Sequence, residues 1–356
     1  MEVTLGSIIL SFSSALNTIG SILIAILVLM LMITIHETGH YTAGKLLKFK
    51  INEFSIGFGK AIFKKTKKNG EVFAIRLVPL GGYCAFEGED TTSEESASFN
   101  AQAPWKRLIV LFFGAFFNFL SAIIFNIVLL AVIGNGIVKV TEVDYENNTH
   151  ISTLQVGDTI KAVNGEKLSF FNGGVSGLTQ YIKDETDIKL TIVRDGEQKE
   201  IVVQKYATMV DGKETYLFGI KTNYVKLSVG EAFLQAVPFT FEMAWECLVV
   251  LGKLCIGQYG LKDVGGPITT IGTIANASSA SLMNLLLLIP LIAVNLAVFN
   301  LLPIPALDGA KMIFVLIEWI RKKPINRELE AKIHATGLFI LFGFVILVDL
   351  LHLFVF

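Results

Sequence analysis

Four long apolar stretches, each close to the ~20 residues that cross a bilayer, constrain this chain more than any other feature. Backbone groups in lipid have no water to bond, so such runs fold as helices. They fall at about 16–35, 108–133, 282–302 and 337–356. Composition agrees, with 53% hydrophobic and 17% charged residues, against roughly 25% charged in soluble domains. The net charge of −1 argues against a nucleic-acid partner. Cys84, Cys247 and Cys255 form no CxxC, so neither a disulfide framework nor a thiolate metal site is expected.

The first run lacks a basic leader segment and carries ionisable residues at its end, so it reads as a retained span rather than a signal peptide. A further stretch at 228–256 is apolar but interrupted by Glu231, Pro238, Glu242, Glu246 and Lys253. It reads as an interfacial amphipathic helix rather than a fifth span. Loop charges orient the spans. Eight lysines between Lys45 and Lys68, Lys106-Arg107, and the Arg321–Lys323 cluster mark cytoplasmic segments. Both termini and residues 137–227 are then extracytoplasmic.

The first span ends in His36-Glu37-Thr38-Gly39-His40. On a helix, residues four apart share a face, so the two imidazoles can bind one Zn²⁺ and Glu37 can serve as general base toward water activated by it. Ionisable groups at membrane depth are costly and are kept mainly for function. Catalytic zinc sites use three protein ligands. The candidate for the third is Asp308, the first charge after more than forty residues, following a segment that Pro303 and Pro305 must break. A broken helix at this depth is tolerated where it lines a cavity. By charge topology, the motif and the end of the third span share the cytoplasmic side.

With Leu307-Asp308-Gly309, Gly265-Gly266-Pro267-Ile268, Phe54–Gly59 and Pro79–Tyr83 added to the histidine motif, nearly the whole chain resembles the site-2 protease family of intramembrane zinc metalloproteases. It is most similar to the bacterial type with an extracytoplasmic PDZ domain. The resemblance implies that His36, His40 and Asp308 are zinc ligands, that Glu37 is the base, and that Asn295 and Asn300 hold the substrate backbone. The chain departs from the family's frequent Leu-Asp-Gly-Gly-His, carrying Ala310-Lys311 after Gly309.

Between the first two spans, Asn69-Gly70 favours a two-residue hairpin turn, with strands expected near 61–66 and 71–78. An exposed edge of this hairpin can add an extended peptide as a new strand. Outside, Val156–Gly165 resembles the PDZ signature, without a clear Gly-Leu-Gly-Phe loop. Strands are expected near 138–143, 189–194 and 198–203, and a short helix at 173–183. Asp349 and His352 are expected to be solvated at the outer interface.

The expected architecture is a polytopic α-helical membrane protein with about four transmembrane helices, a cytoplasmic membrane-associated β-hairpin and an extracytoplasmic PDZ-like α+β domain. Its segments are a first helix with the histidine motif (1–40), a hairpin or re-entrant region (41–106), a second helix (107–135) and the PDZ-like domain (136–227). An interfacial helix and loop (228–277), a third membrane segment with the Leu-Asp-Gly motif (278–310), a cytoplasmic loop (311–336) and a fourth helix (337–356) follow. The expected function is a zinc-dependent endopeptidase of the bacterial cell membrane, in contact with lipid. It would cut transmembrane segments of substrates such as anti-sigma factors or signal-peptide remnants. A non-catalytic PDZ adaptor and a divalent-metal transporter are the competing readings. An intact Glu37 argues against the first, and a PDZ domain against the second.

Overall fold

The computed structural model describes residues 5–89, 96–134, 138–145, 153–168, 187–210, 213–217 and 219–355. They divide into two compact units: one of residues 1–125 and 237–356, the other of 126–236.

The larger unit is built on α1 (Leu5–Leu46), whose uncharged run continues as one helix through the histidine motif. Thr34, Thr38 and Thr42 keep their hydroxyls bonded within it, each donating to the carbonyl four residues back at 2.6–2.7 Å. A hairpin of β1 (Ile51–Thr66) and β2 (Val72–Phe86) follows. Its strands are far longer than the sequence suggests, because register shifts and positive-φ glycines at 57, 59 and 81 break the two-residue alternation. The hairpin turn is tied to α1. Glu71 accepts hydrogen bonds from Tyr41 (2.9 Å) and Lys67 (2.7 Å), and pairs with Lys45. Burial opposes ionisation of Glu71, but the hydrogen bonds from Lys45, Lys67, Tyr41 and Asn69 prevail and bring its pKa down to about 2.

Next come α2 (Pro104–Val132) and α3 (Val229–Cys255). They are followed by α4 (Pro267–Ala280), α5 (Leu282–Asn300), α6 (Asp308–Arg321) and α7 (Arg327–Phe354). Among the described residues, five helices have the length and apolarity to cross a bilayer: α1 from Leu16, α2, α3, α5 and α7. That is one more than the four read from long apolar runs. The addition is α3, whose carboxylates do not prevent a continuous 27-residue helix with Pro238 inside it. The chain is a multi-pass membrane protein with β-sheet attached.

Two apolar cores position the site. Ala25 and Val28 of α1 pack with Ile274 and Ala275 of α4 and Leu285 of α5. Ala43, Phe49, Ile51, Phe86, Phe99, Val110, Leu111 and Val315 form the other, joining α1, the hairpin base, α2 and α6. A buried ion pair, Arg107 with Glu318, crosses beside it, and Glu318 also pairs with Arg327 at 2.5 Å. Asp349 is not solvated as expected. It is buried on α7 and accepts the backbone N–H groups of Ile268 and Thr269 (both 3.0 Å), capping α4 from across the fold. His352 bonds the Val264 carbonyl at 2.7 Å.

The smaller unit holds a six-stranded antiparallel sheet in the order β10-β3-β4-β6-β7, with β5 paired to β4. Its strands are β3 (Val138–Val143), β4 (Thr159–Val163), β5 (Glu166–Lys167), β6 (Asp187–Arg194), β7 (Glu197–Gln204) and β10 (Ile220–Tyr224). Between them, β8 (Tyr206–Val210) and β9 (Lys213–Leu217) form a separate hairpin. Alternating Ile188, Leu190 and Ile192 join Val138, Val140, Ile160 and Val203 in the core. Asp195-Gly196, both at positive φ, make the two-residue turn from β6 to β7. The helix expected at 173–183 lies outside the described residues.

Candidate metal centre

Helical spacing puts His36 and His40 on one side of α1, both buried. Asp308 reaches them from another part of the chain. It follows the third apolar helix, beyond the break expected at Pro303 and Pro305. Asn300 ends that helix, residues 301–307 turn, and Asp308 is the first residue of α6. The turn is compact because Gly309 has no side chain: a Cβ there would lie 2.3 Å from the carbonyl oxygens of Leu301 and Leu302. Asp308 Oδ2 then sits 3.0 Å from His36 Nε2 and 3.2 Å from His40 Nε2, and the two nitrogens are 3.1 Å apart.

The far side of each imidazole meets α2. His40 Nδ1 donates to the Val110 carbonyl at 2.8 Å, which fixes its proton on Nδ1 and leaves Nε2 a lone pair. His36 Nδ1 faces the fully buried Asn118 amide at 3.4 Å. Rotation exchanges amide nitrogen and oxygen. With Oδ1 turned toward the ring, Asn118 accepts the Nδ1 proton, which supplies a partner for an oxygen otherwise without one. The helices approach closely through glycines. A Cβ on Gly39 would lie 2.1 Å from the Phe113 carbonyl oxygen, and one on Gly114 would lie 2.4 Å from His40 Nε2 and 2.7 Å from His36 Cε1.

Two imidazole nitrogens and a carboxylate oxygen therefore converge within 3.0–3.2 Å of one another. The Asp308 oxygen is buried and takes no hydrogen bond. Such a set repels itself unless a cation neutralises it, and two nitrogens with one carboxylate oxygen suit a tetrahedral divalent metal with one position left open. Among the described residues these three form the one cluster of His, Cys, Asp and Glu side chains close enough to share an ion.

The cluster opens into a cavity of about 750 Å³ that Glu37, Asn118, Asn300 and residues 82–86 of β2 also line. Gly82 lets β2 lie close to β1 at this wall, since a Cβ there would fall 2.9 Å from the Ser55 carbonyl oxygen, and Glu37 Cγ stands 3.4 Å from the same point. Asn300 faces this cavity and donates its amide to the Leu296 carbonyl at 2.9 Å. Asn295 does not join it. It lines a second cavity of about 310 Å³ with Thr269, Thr270, Thr273 and His352. Val110, Gly114 and Asn118 were not anticipated from the sequence. Only Asn118 carried a signal, as an amide inside an apolar run.

Comparison with known proteins identifies the family. The family model for peptidase family M50 matches residues 24–344. A protein of Fusobacterium nucleatum is 31% identical over 92% of this chain and 96% of its own length. Proteins of Clostridium perfringens and Helicobacter pylori are each 30% identical, over 92% and 93% of this chain and 97% of their own lengths. Each of the three bears the name "Putative zinc metalloprotease". The chain belongs to peptidase family M50, the site-2 protease family.

Proposed function

We propose that this protein is an intramembrane endopeptidase that cuts transmembrane segments of membrane-protein substrates, with zinc held by His36, His40 and Asp308 and with Glu37 as its base. Membership of peptidase family M50 makes the chain a metalloendopeptidase with zinc as its cofactor. The observation that carries the finer reading is the convergence of His36 Nε2, His40 Nε2 and Asp308 Oδ2 in a cavity that Glu37 lines, among membrane-length helices.

Zinc supplies Lewis acidity, polarising the scissile carbonyl and lowering the pKa of water. Glu37 takes the proton from the attacking water and delivers it to the leaving amine. Val110 and Asn118 hold the imidazoles in the tautomer that keeps both Nε2 atoms free for the metal. Residues 82–86 form a wall beside Glu37, and an extended substrate lying along that strand would present its carbonyls. Asn300 is suited to bond the substrate backbone there. Asn295 would contact substrate only through the second cavity.

The hairpin and metal centre are assigned to the cytoplasmic side by the loop lysines, and residues 138–224 to the outside. His40 meets the start of α2, and Asp308 follows the end of α5. If each of these helices crosses once, the chain between them begins and ends on one face. A crossing by α3 would then need a second segment to return, which supports the interfacial reading. The outer sheet is read as a PDZ-like filter on substrate size, in regulated intramembrane proteolysis of anti-sigma factors or signal-peptide remnants.

Purified protein should hold one zinc and cut a transmembrane-segment peptide in detergent. Glu37→Gln should keep the zinc and lose turnover by about 10²–10⁴-fold. Equal turnover in that variant, or wild-type zinc content in Asp308→Ala, would refute the assignment.

A further inference from the structure

The segment that aims Asp308 is held in an unfavourable backbone conformation by a residue on a different helix. Ala306, two positions before Asp308, has φ +85°, a left-handed value that non-glycine residues rarely adopt. Such strain persists only where the surroundings enforce it. Here the enforcing contact is His334 of α7, whose Nδ1 accepts the Ala306 N–H at 3.1 Å. That bond places the His334 proton on Nε2. The ring is steadied by Phe314 of α6, with centroids 5.5 Å apart. One turn further along α7, Gly337 lets the helix press on the same turn: a Cβ there would lie 2.2 Å from Pro305 Cβ and 3.0 Å from its carbonyl oxygen.

From this geometry we infer that His334 is a positioning residue for the metal centre, holding the Ala306 peptide so that Asp308 Oδ2 reaches the two imidazoles. Asp308 opens α6 immediately after the strained residue, and no other turn of chain lies between them to absorb a change. Loss of the His334 acceptor would let Ala306 relax toward negative φ. The carboxylate would then swing with the first turn of α6. His334 lies 26 residues downstream of Asp308 and bonds the Ala306 backbone, so its influence passes through the chain. The inference rests on the reading of Asp308 as a ligand.

Two readings of the full-length protein in detergent test it: the visible absorption of the Co²⁺-substituted protein, and kcat and KM on a transmembrane-segment peptide. His334→Leu should alter the Co²⁺ spectrum, weaken zinc by about tenfold as other orienting residues do, and lower kcat while leaving KM near the wild-type value. His334→Asn should restore both, because its Oδ1 occupies the place of Nδ1. Ala306→Gly in the leucine background should also restore them, since glycine adopts positive φ without an anchor. A wild-type spectrum and kcat in His334→Leu would overturn the proposal, and so would equal impairment in the Asn and Leu variants. Should the leucine variant not fold, His334→Asn is compared with His334→Gln, whose oxygen reaches the Nε2 position instead. The proposal requires Asn to perform better and fails otherwise. Asp308→Ala separates the two levels. If it keeps its zinc, the metal reading itself is wrong; if it loses zinc while His334→Leu is unchanged, only the positioning role is wrong.

Discussion

Gly114 of α2 touches the imidazole of His40 with bare backbone, and a methyl group there would stand 2.4 Å from Nε2. The nearest neighbours of that methyl are ring atoms of two buried imidazoles, His40 and His36, so the clash falls on both rings. Gly114→Ala should displace both imidazoles. A displacement near 1 Å is worth about 10² in rate, so turnover should fall at least that far, with zinc content reduced and helicity by circular dichroism unchanged. Full activity in this variant would mean that the helices separate freely here.

Asn118 should matter for the metal more than for the fold. Asn118→Ala removes the acceptor for His36 Nδ1–H and should weaken zinc by about 10–100-fold, measured by chelator competition. Asn118→Asp retains an acceptor oxygen and should bind zinc more tightly than the alanine variant. The opposite order would show that the amide nitrogen, not the oxygen, faces the ring.

Four of the five membrane-length helices, the histidine pair and Asp308 were legible in the sequence, because hydropathy over twenty residues and i,i+4 spacing are local signals. The other side of the site was not. Val110 contributes a backbone carbonyl, Gly114 an absence of side chain, and Ala306 a dihedral angle, and none of these has a residue-type signature. The hairpin strands were clipped because Gly57, Gly59 and Gly81 bend the ladder where alternation was sought. Asp349 looked like an interfacial carboxylate because its partners, the N–H groups of Ile268 and Thr269, lie about eighty residues earlier.

The hairpin anchor should be pH-sensitive. The folded pKa of Glu71, about 2, is below the ordinary carboxylate value of 4.5. Its contribution is therefore complete above about pH 4.5 and is lost as pH falls toward 2. Glu71→Gln should remove that dependence and weaken hairpin docking by about 1–2 kcal/mol, the lysines being part-exposed. Trypsin cleavage near Lys64–Lys68 reports it. Cleavage of the wild type at neutral pH as fast as of the variant would rule the anchor out.

Asp349→Ala should loosen α4 by removing its cap, a loss of about 1–2 kcal/mol, seen as a lower unfolding temperature in detergent. Asp349→Asn retains one acceptor oxygen and should lose less. Gly266→Ala should destabilise by a separate route, because its Cβ would fall 2.5 Å from the Asp349 carboxyl carbon.

The distance along the chain between His40 and Asp308 bears on how the enzyme is made. At roughly 5–20 residues per second on the ribosome, Asp308 emerges on the order of 15–50 s after the histidines. During that interval α1 carries two imidazoles and a glutamate that cannot yet hold a third-ligand metal site. On the reading of Asp308 as the third ligand, the nascent chain cannot cut neighbouring membrane proteins until α6 arrives. On the same reading, a chain that stops short of Asp308 lacks its third ligand and is inactive by virtue of its sequence alone.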